Sequence, residues 1–343
     1  MGFGIVLDER FLQHEMPRGH PERPERLRAL LDALRNWEKR SLLLSIEPRL
    51  AETDRISRVH SEDHLRRIAA TAERPYSSLD PDTHAGRRSY ETARLAAGGA
   101  MALVEALFSE RIGSGILLAR PPGHHAESDR AMGFCLFNTI AVAAQFALDE
   151  GLARRVAVVD FDVHHGNGTQ QIFYDRLDVL YLSSHQHPFY PGTGSFREKG
   201  AGDGTGTTVN FPISAGAGDG FFAPLYREFV APILRRFGPD LILVSAGFDA
   251  HRLDPLGGMN LSAQGFGRIA LHLNEAAADA CKGRILYVLE GGYDLQGLVS
   301  STLEVIGACL EPAGAAAASF EVEESYAAYR DLVRSHLREF WSF

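Results

Sequence analysis

The chain has 343 residues, of which 45% are hydrophobic and 23% are charged, a composition typical of a soluble globular protein with a substantial core. Its formal net charge of -9 argues against binding a nucleic-acid backbone over the whole surface and leaves room only for a local basic patch, formed by Arg18, Arg23, Arg26 and Arg28. No apolar run approaches the ~20 residues that a membrane span requires. We therefore expect neither nucleic acid nor a membrane as a direct partner.

The compartment is indicated by the amino terminus and the cysteines. The first residues, MGFGIVLDERF, lack a basic segment before an apolar one, and Val6 does not fit the myristoylation pattern. Cys135, Cys281 and Cys309 are far apart and form no CxxC pair, which suits a reducing environment better than a disulfide framework. These features predict a cytoplasmic protein. We find no tandem repeat and no linker between domains, so we expect one domain over residues 1–343.

The first part of the chain is expected to form structural elements that support the site. Residues 3–8 are typical of a short strand, and leucines at 27, 30, 31 and 34 after a proline-marked entry predict a helix. We interpret the charged face of this helix as solvated surface. A turn and helix follow Arg55, and a long helix begins at Ser89, where Gly98 and Gly99 indicate close packing against a neighbour.

Four later apolar runs predict buried parallel strands, and each run is followed by polar residues. The strands and their polar residues are GILLA before His124 and His125, VAVV before Asp160, Asp162 and His164, LILVSA before Asp249, and ILYVL before Tyr293. Two further strands are expected at 179–183 and 208–213. Because open parallel α/β sheets bind ligands at the carboxyl ends of their strands, we expect these polar side chains to converge.

Asp162, His164 and Asp249 are predicted to bind a metal ion. Asp160, Asp162 and His164 alternate along an extended chain and would project to one side. Buried carboxylates cost several kcal/mol each unless they are paired, and a divalent cation neutralises them. One nitrogen and two oxygen ligands leave open positions for water and substrate, and they suit zinc or iron(II). The alternative is a hydrogen-bonded or salt-bridged network at the strand ends.

The paired histidines and the tyrosine are predicted to act in acid–base and electrostatic catalysis. Histidine has an ordinary pKa of about 6.5, so His124 and His125 could divide the tasks of general base and general acid. Tyr293, after Gly-Gly, could donate a hydrogen bond to an oxyanion as it forms. The alternatives are a pair of satisfied loop histidines and a core tyrosine at the sheet edge.

The carboxyl-terminal region predicts a connection and a final helix. Residues 314–319, GAAAAS, are typical of a flexible connection. Residues 321–341 carry apolar side chains at 322, 326, 329, 333, 337 and 340, which indicates a docking helix packed on the core.

Together, the motifs RPPGHHA, GFCLFN, DFDVHHGNGTQ, SAGFDAHRLDP and EGGYD resemble the histone deacetylase family, zinc-dependent deacetylases that include bacterial amidohydrolases. GHPERPERL and YPGTG also fit, so the resemblance covers about residues 3–310. It implies an α/β domain of the arginase-deacetylase type: a central parallel eight-stranded sheet flanked by helices, with the active site at the carboxyl ends of the strands.

The resemblance also implies roles for single residues. Asp162, His164 and Asp249 would hold zinc, His125 would be the general base, His124 its electrostatic or acid partner, and Tyr293 would polarise the acyl carbonyl. Asp160 would bond His124, and Asn167 would face His125. Asn at that position is the class II-like pattern, where class I members usually carry Asp, and a neutral partner should raise the basicity of His125 less than a carboxylate would.

The resemblance also implies candidate residues for binding potassium and for binding the substrate. Family members bind potassium beside the zinc, for which the candidates are Asp160, Asp162, His164, Ser183 and Ser184. The acyl-lysine tunnel would be walled by Gly133, Phe134, Tyr190 and Leu256, with Tyr190 where the family often has Phe. A rim acid that grips the substrate backbone would be Asp80 or Asp82, with Asp82 our candidate.

The implied activity is hydrolysis of an N-acyl amide, either acetyl-lysine in proteins or an acetylated small amine such as a polyamine, with hydroxamate-type inhibitors expected to bind. A two-manganese ureohydrolase on the same fold would favour acids where Gly166 and Gly247 stand, and this disfavours it. A non-catalytic acyl-lysine reader is disfavoured because all the inferred catalytic residues are present. The sequence leaves open the acyl chain, the metal, the physiological substrate and the oligomeric state.

Overall fold

The central element of the computed structural model, which describes residues 2–317 and 319–343, is an eight-stranded sheet. In chain order the strands are β1 (Gly2–Leu7), β2 (Leu43–Ser45), β3 (Ser77–Ser78), β4 (His84–Ala85), β5 (Ile112–Leu118), β6 (Val156–Asp160), β7 (Val179–Gln186), β8 (Thr208–Ile213), β9 (Leu241–Ala246) and β10 (Ile285–Leu289). The sheet order is β2-β1-β5-β10-β9-β6-β7-β8, and every pairing is parallel. Strands β3 and β4 form a separate antiparallel pair. The predicted parallel eight-stranded sheet is confirmed.

Helices flank this sheet. They are α1 (Pro24–Arg35), α2 (Thr53–Ile56), α3 (Glu62–Ala69), α4 (Ser89–Phe108), α5 (Thr139–Asp149), α6 (Asn167–Phe173), α7 (Asp219–Leu225), α8 (Ala231–Phe237), α9 (Ala263–Cys281), α10 (Leu295–Leu310), α11 (Pro312–Ala317) and α12 (Glu324–Leu337). Helices α4 and α5 pack together and contact β5 and β6, whereas α9 packs with α8 and α10. None of the helices in the described residues is both long and apolar enough to span a membrane.

The sheet core explains why apolar runs predict it well. Strand β6 is buried at all five positions, as are β9 and β10 along their whole lengths. A strand covered on both faces needs apolar side chains at every position, which gives a continuous run instead of an alternation. The close packing predicted in α4 is also present, since a Cβ on Gly98 would lie 1.8 Å from the carbonyl oxygen of Arg49.

Several expectations require correction. The charged face of α1 is not wholly solvated, because Arg26 is fully buried, which also removes it from the basic patch. The predicted flexible connection at 314–319 is helical through Ala317, packed on α9 and α10; Ala318 lies outside the described residues. In the last helix, Val322 is 53% exposed and precedes α12, so it does not pack on the core as predicted. Strand β2, the β3–β4 pair and helices α9 and α10 are found only in the structure.

Candidate active site

The four strands that precede the predicted site residues are neighbours in the middle of the sheet. The order β5-β10-β9-β6 places four segments side by side at the carboxyl ends of these strands: the His124–His125 loop, Tyr293, Asp249 and the Asp160–His164 segment. The register aligns the strand ends, since Asp160 of β6 pairs with Ser245 of β9 and with Ser183 of β7. Residues separated by more than 160 positions in the chain therefore meet at one place.

Asp162, His164 and Asp249, here called the metal triad, place one ligand atom each within 4.8 Å of one another. His164 Nδ1 lies 3.1 Å from Asp162 Oδ1 and 3.2 Å from Asp249 Oδ2. Backbone amides orient the carboxylates: Val163 N donates to Asp249 Oδ1 (2.9 Å), and Gly291 N donates to Asp162 Oδ2 (2.8 Å). The backbone thus holds both acids with one oxygen each turned toward the triad.

Three observations show that the triad fits a divalent cation. Asp249 Oδ2 is buried and lies 3.2 Å from His164 Nδ1, but it accepts no hydrogen bond from the described residues, and such an atom is costly unless a cation neutralises it. A Cβ on Gly291 would lie 2.0 Å from that oxygen, and one on Gly247 would lie 1.9 Å from Asp162 Oδ2, so the space around the oxygens is kept clear by glycine. The donor set of one imidazole and two carboxylates suits zinc and iron(II).

The electrostatics of the triad point the same way. Burial raises the pKa of Asp249 to about 7, with a further contribution from Asp162. Burial lowers the pKa of His164, but Asp162 and Asp249 outweigh this effect and raise it to about 10. The triad therefore attracts positive charge strongly.

His124 has a charged partner. Its Nδ1 lies 3.0 Å from Asp160 Oδ2, which also accepts from the Tyr181 hydroxyl at 3.2 Å. Burial lowers the pKa of His124, but Asp160 and Asp162 outweigh it and raise that pKa to about 10. The arrangement stabilises a protonated imidazole beside the triad, as an electrostatic or acid partner requires.

His125 has a neutral partner. Its Nδ1 lies 2.8 Å from Asn167 Oδ1, and its ring centroid lies 4.0 Å from that of His124. Burial, together with the neighbouring His124 and His164, lowers the pKa of His125 well below its ordinary value. The two adjacent histidines are thus driven toward opposite protonation states, which is the condition for dividing acid and base roles.

A cavity of about 460 Å³ opens above these groups. The predicted tunnel residues and the candidate rim acid all line it, as do His125, His164 and Tyr293: Gly133, Phe134, Tyr190, Leu256 and Asp82. Phe189 and Gln186, which the sequence analysis did not select, line it too, with the Phe189 ring stacked on His164 at 5.3 Å between centroids. Aromatic walls and one acid suit a slender apolar chain that carries a polar or cationic end.

The two candidate rim acids differ in their surroundings. Asp80 forms an ion pair with Arg130 at 3.1 Å and does not line the cavity. Asp82 does line the cavity, and burial raises its pKa. Its backbone oxygen lies 3.1 Å from His20 Nε2. Of the two, Asp82 is placed to meet a bound molecule.

The Tyr293 loop is held from below by a buried ionic group that we call the Glu22 cluster: His14, Glu22, Arg26 and Arg120, all fully buried. Arg26 donates to the carbonyl oxygens of Glu290 and Gly292, both at 2.6 Å, and its guanidinium lies 4.8 Å from the centroid of the Tyr293 ring. This role was not predicted from the sequence, where Arg26 was assigned to a basic surface patch. The signal was present in GHPERPERL, in which charged residues follow both prolines.

Glu290 was also missed. It follows β10 directly, is fully buried, and accepts from the backbone amides of Gly123 (2.6 Å) and His124 (3.1 Å). Burial raises its pKa to about 7. The side chain joins the Tyr293 loop to the histidine loop. A lone acid at the end of an apolar strand is the signal that could have found it.

The candidate potassium residues lie on adjacent segments. Asp160 and Ser183 are paired across β6 and β7, and Ser184 Oγ lies 2.8 Å from the Tyr226 hydroxyl. Asp162 N donates to Asp160 Oδ1 at 3.2 Å. The structure brings these residues together beside the metal triad, and their potassium binding stays a prediction.

The arginase-deacetylase fold, with two carboxylates and an imidazole grouped at the carboxyl ends of its strands, defines the class of metal-dependent amidohydrolases. The histone deacetylase domain model matches residues 20–309, and the chain belongs to the histone deacetylase family.

Known relatives agree with that assignment. The chain is 40% identical, over 315 residues, to the chloroplastic histone deacetylase 10 of Oryza sativa subsp. japonica. The match covers 87% of this chain and 71% of that protein. A histone deacetylase-like amidohydrolase of Pseudomonas aeruginosa is 39% identical over 94% of this chain and 86% of its own length. The crystal structure of the HDA15 HD domain superposes with a TM-score of 0.92 at 38% identity, over 99% of this chain and 97% of that one.

Proposed function

We propose that the protein is a zinc-dependent deacetylase that hydrolyses the side-chain amide of acetyl-lysine. The observation that carries the proposal is the cavity of about 460 Å³, whose lining includes His164 of the metal triad, His125 and Tyr293 together with aromatic walls. An extended four-carbon lysine stem matches such walls, and its amide would lie among the polar groups.

The metal triad would hold the zinc ion, which supplies Lewis acidity that polarises a carbonyl and acidifies water. His125 takes the proton from the attacking water. The Tyr293 hydroxyl donates a hydrogen bond to the carbonyl oxygen as negative charge grows on it. His124, held protonated by Asp160, stabilises that charge and supplies a proton to the departing amine. The products are a carboxylate and a free amine.

Glycines at two positions support a single catalytic metal. A ureohydrolase would need acids at Gly166 and Gly247. A Cβ on Gly166 would lie 2.2 Å from Asp160 Oδ2, and one on Gly247 would lie 1.9 Å from Asp162 Oδ2. Side chains at these positions would collide with the acids already there.

A second candidate substrate, an acetylated polyamine, is favoured by one observation. Asp82 lines the cavity and forms no ion pair with any residue of 2–317 or 319–343. A carboxylate there can accept from the backbone amides of a peptide, or it can bind a second ammonium group of a polyamine.

The test is amide hydrolysis after chelation and zinc readdition, with an acetyl-lysine peptide, acetylated polyamines and a trifluoroacetyl-lysine control. Preference for the peptide supports the proposal, and preference for polyamines selects the second candidate. Replacing His125 by Ala or Tyr293 by Phe should lower kcat by about 10²- to 10⁴-fold in a normally folded protein. Full activity in both variants would refute the mechanism, and no hydrolysis of any substrate would favour a binding module.

Other parts of the proposal have separate tests. A hydroxamate should compete with substrate at the cavity, and potassium should raise thermal stability if the residues beside the triad bind it. The single catalytic domain over residues 1–343, its core at 3–310, the cytoplasmic compartment and the lack of nucleic-acid binding stay predictions.

A further inference from the structure

Asn167 lies between His125 and a third side chain, Glu127. Its Oδ1 is 2.8 Å from His125 Nδ1, and its Nδ2 donates to Glu127 Oε1 at 2.7 Å and contacts Met132 Sδ at 3.3 Å. Asn167 is 6% exposed, so these contacts account for most of what its amide can bond. The amide thus joins a catalytic histidine to a carboxylate.

The carboxylate determines which way the amide points. A side-chain amide has a donor end and an acceptor end, whereas an ionised carboxylate only accepts. The reverse orientation would set Asn167 Oδ1 against Glu127 Oε1 and against the sulfur of Met132, and neither has a hydrogen to give. The Nδ2 group must therefore face Glu127, which leaves Oδ1 facing His125.

The amide in turn determines the tautomer of the histidine. Because Asn167 Oδ1 only accepts, His125 must carry a hydrogen on Nδ1, and the neutral ring then keeps its lone pair on Nε2. We propose that Glu127 is a positioning residue, which fixes His125 through Asn167 in the tautomer that a general base needs. This inference rests on the proposed function for the role of His125 as base.

The surroundings hold Glu127 in place. Its backbone oxygen lies 2.9 Å from His60 Nδ1, and its backbone nitrogen donates to the Arg130 oxygen at 2.9 Å. Helix α6, which begins at Asn167, is seated against the same loop, since a Cβ on Gly168 would lie 2.2 Å from the Ala126 oxygen. Both ends of the hydrogen-bond chain are therefore fixed by backbone contacts.

The first test is Glu127→Gln in the zinc-loaded enzyme. Glutamine has almost the same shape, but it can present either end of its own amide, so the orientation of Asn167 is no longer imposed. We expect kcat for the acetyl-lysine peptide to fall by about 10- to 100-fold with KM unchanged. Asp129→Asn, which removes an exposed acid two residues away, is the matched control and should leave kcat unchanged.

The decisive test is rescue by a second substitution. Asn167→Asp alone places two carboxylates in contact and should lower kcat. In Glu127→Gln/Asn167→Asp, the new carboxylate accepts from His125 Nδ1 in any orientation, and the glutamine amide donates to it. We expect this double variant to exceed both single variants in kcat. A double variant no better than the worse single one would overturn the proposal, because a purely structural Glu127 predicts additive losses.

A readout independent of turnover comes from long-range ¹H–¹⁵N spectra of the histidine rings. The unsubstituted protein should show His125 as the Nδ1–H tautomer alone, and Glu127→Gln should show a mixture, with His124 unchanged because Asp160 is its partner. A single Nδ1–H tautomer retained in Glu127→Gln would overturn the proposal. Since these spectra need no substrate, failure of the proposed deacetylation would be recognised separately.

Discussion

The molecule buries acids at two places beside the Tyr293 loop and balances their charge differently. In the Glu22 cluster, Arg120 donates to Glu22 Oε2 at 2.6 Å, and Arg26 adds a second pair at 3.2 Å. Burial raises the pKa of Glu22, but Arg120, with contributions from His14 and Arg26, outweighs it and lowers that pKa to about 2. In the metal triad, the ion pairs formed by described residues with Asp162 and Asp249 all involve histidine. Burial raises the pKa of both acids, but His124 and His164 outweigh it at Asp162 and lower that pKa, whereas the pKa of Asp249 rises to about 7.

The two places differ in whether arginine side chains of the fold supply the compensating charge. Where the chain supplies permanent cations, the carboxylate is neutralised within the fold and its task is to hold the Tyr293 loop. Where no arginine or lysine of the described residues pairs with the buried acids, the compensating charge must come from a proton or from a metal ion. Acids that are equally buried thus have different functions because of the cations beside them.

Removing one acid of the triad should have the largest effect. In Asp249→Ala we expect zinc stoichiometry to collapse and deacetylation to fall by more than about 100-fold, because one of three ligands is lost. Metal analysis and activity on the same preparation check this. Asp178→Asn, at a partly exposed acid paired with Arg176, is the control and should leave both unchanged. An unchanged stoichiometry in Asp249→Ala would refute the ligand assignment.

Breaking the Glu22 cluster should affect stability first. Glu22→Gln leaves two buried guanidinium groups without their counter-charge, so the free energy of unfolding should fall by about 3–5 kcal/mol in urea titrations. Helix α1, which begins two residues later, offers a control: the exposed pair of Glu25 and Arg28, where Glu25→Gln should cost less than about 1 kcal/mol. Equal losses in the two variants would show that the cluster does not act as a buried ion group.

Acid should destabilise the Glu22 cluster in two stages, and the effect should be smaller than that of Glu22→Gln over the interval from pH 7.5 to pH 5. Burial lowers the pKa of His14 to about 3, opposed by Glu22 and supported by Arg120 and His20. The unfolded chain therefore takes up the His14 proton first, and stability falls as pH drops from 6.5 toward 3, by up to about 1.4 kcal/mol per pH unit. Glu22, with its pKa also lowered, is stabilising above pH 4.5 and loses that contribution as pH falls toward 2.

Urea titrations at pH 7.5 and pH 5 measure the first stage. His14→Gln should be less sensitive to acid than the unsubstituted protein over this interval, since it removes a group that the unfolded state protonates. A parallel dependence in the two proteins would mean that His14 does not contribute to the acid response.

The strands of the sheet and the metal triad can be predicted because each depends on a local pattern. Strands such as β6 are continuous apolar runs, and Asp162 and His164 follow one of them directly. Arg26 cannot be found in this way, because a buried arginine and a solvated one look alike in a helix pattern, and its partners Glu290 and Gly292 are more than 260 positions away. Asn167 was predicted from the family motif, but Glu127 behind it was not.

The strand order makes the last strand of the chain, β10, a condition for activity. Strand β10 is the last strand in the chain, yet it lies between β5 and β9 in the middle of the sheet. Without it, the remaining strands form two separate groups, β2-β1-β5 and β9-β6-β7-β8, with the histidine loop on one and the metal triad on the other. A chain ending before Ile285 would hold both halves of the proposed catalytic apparatus without a common frame, so we expect activity only once β10 has joined the sheet.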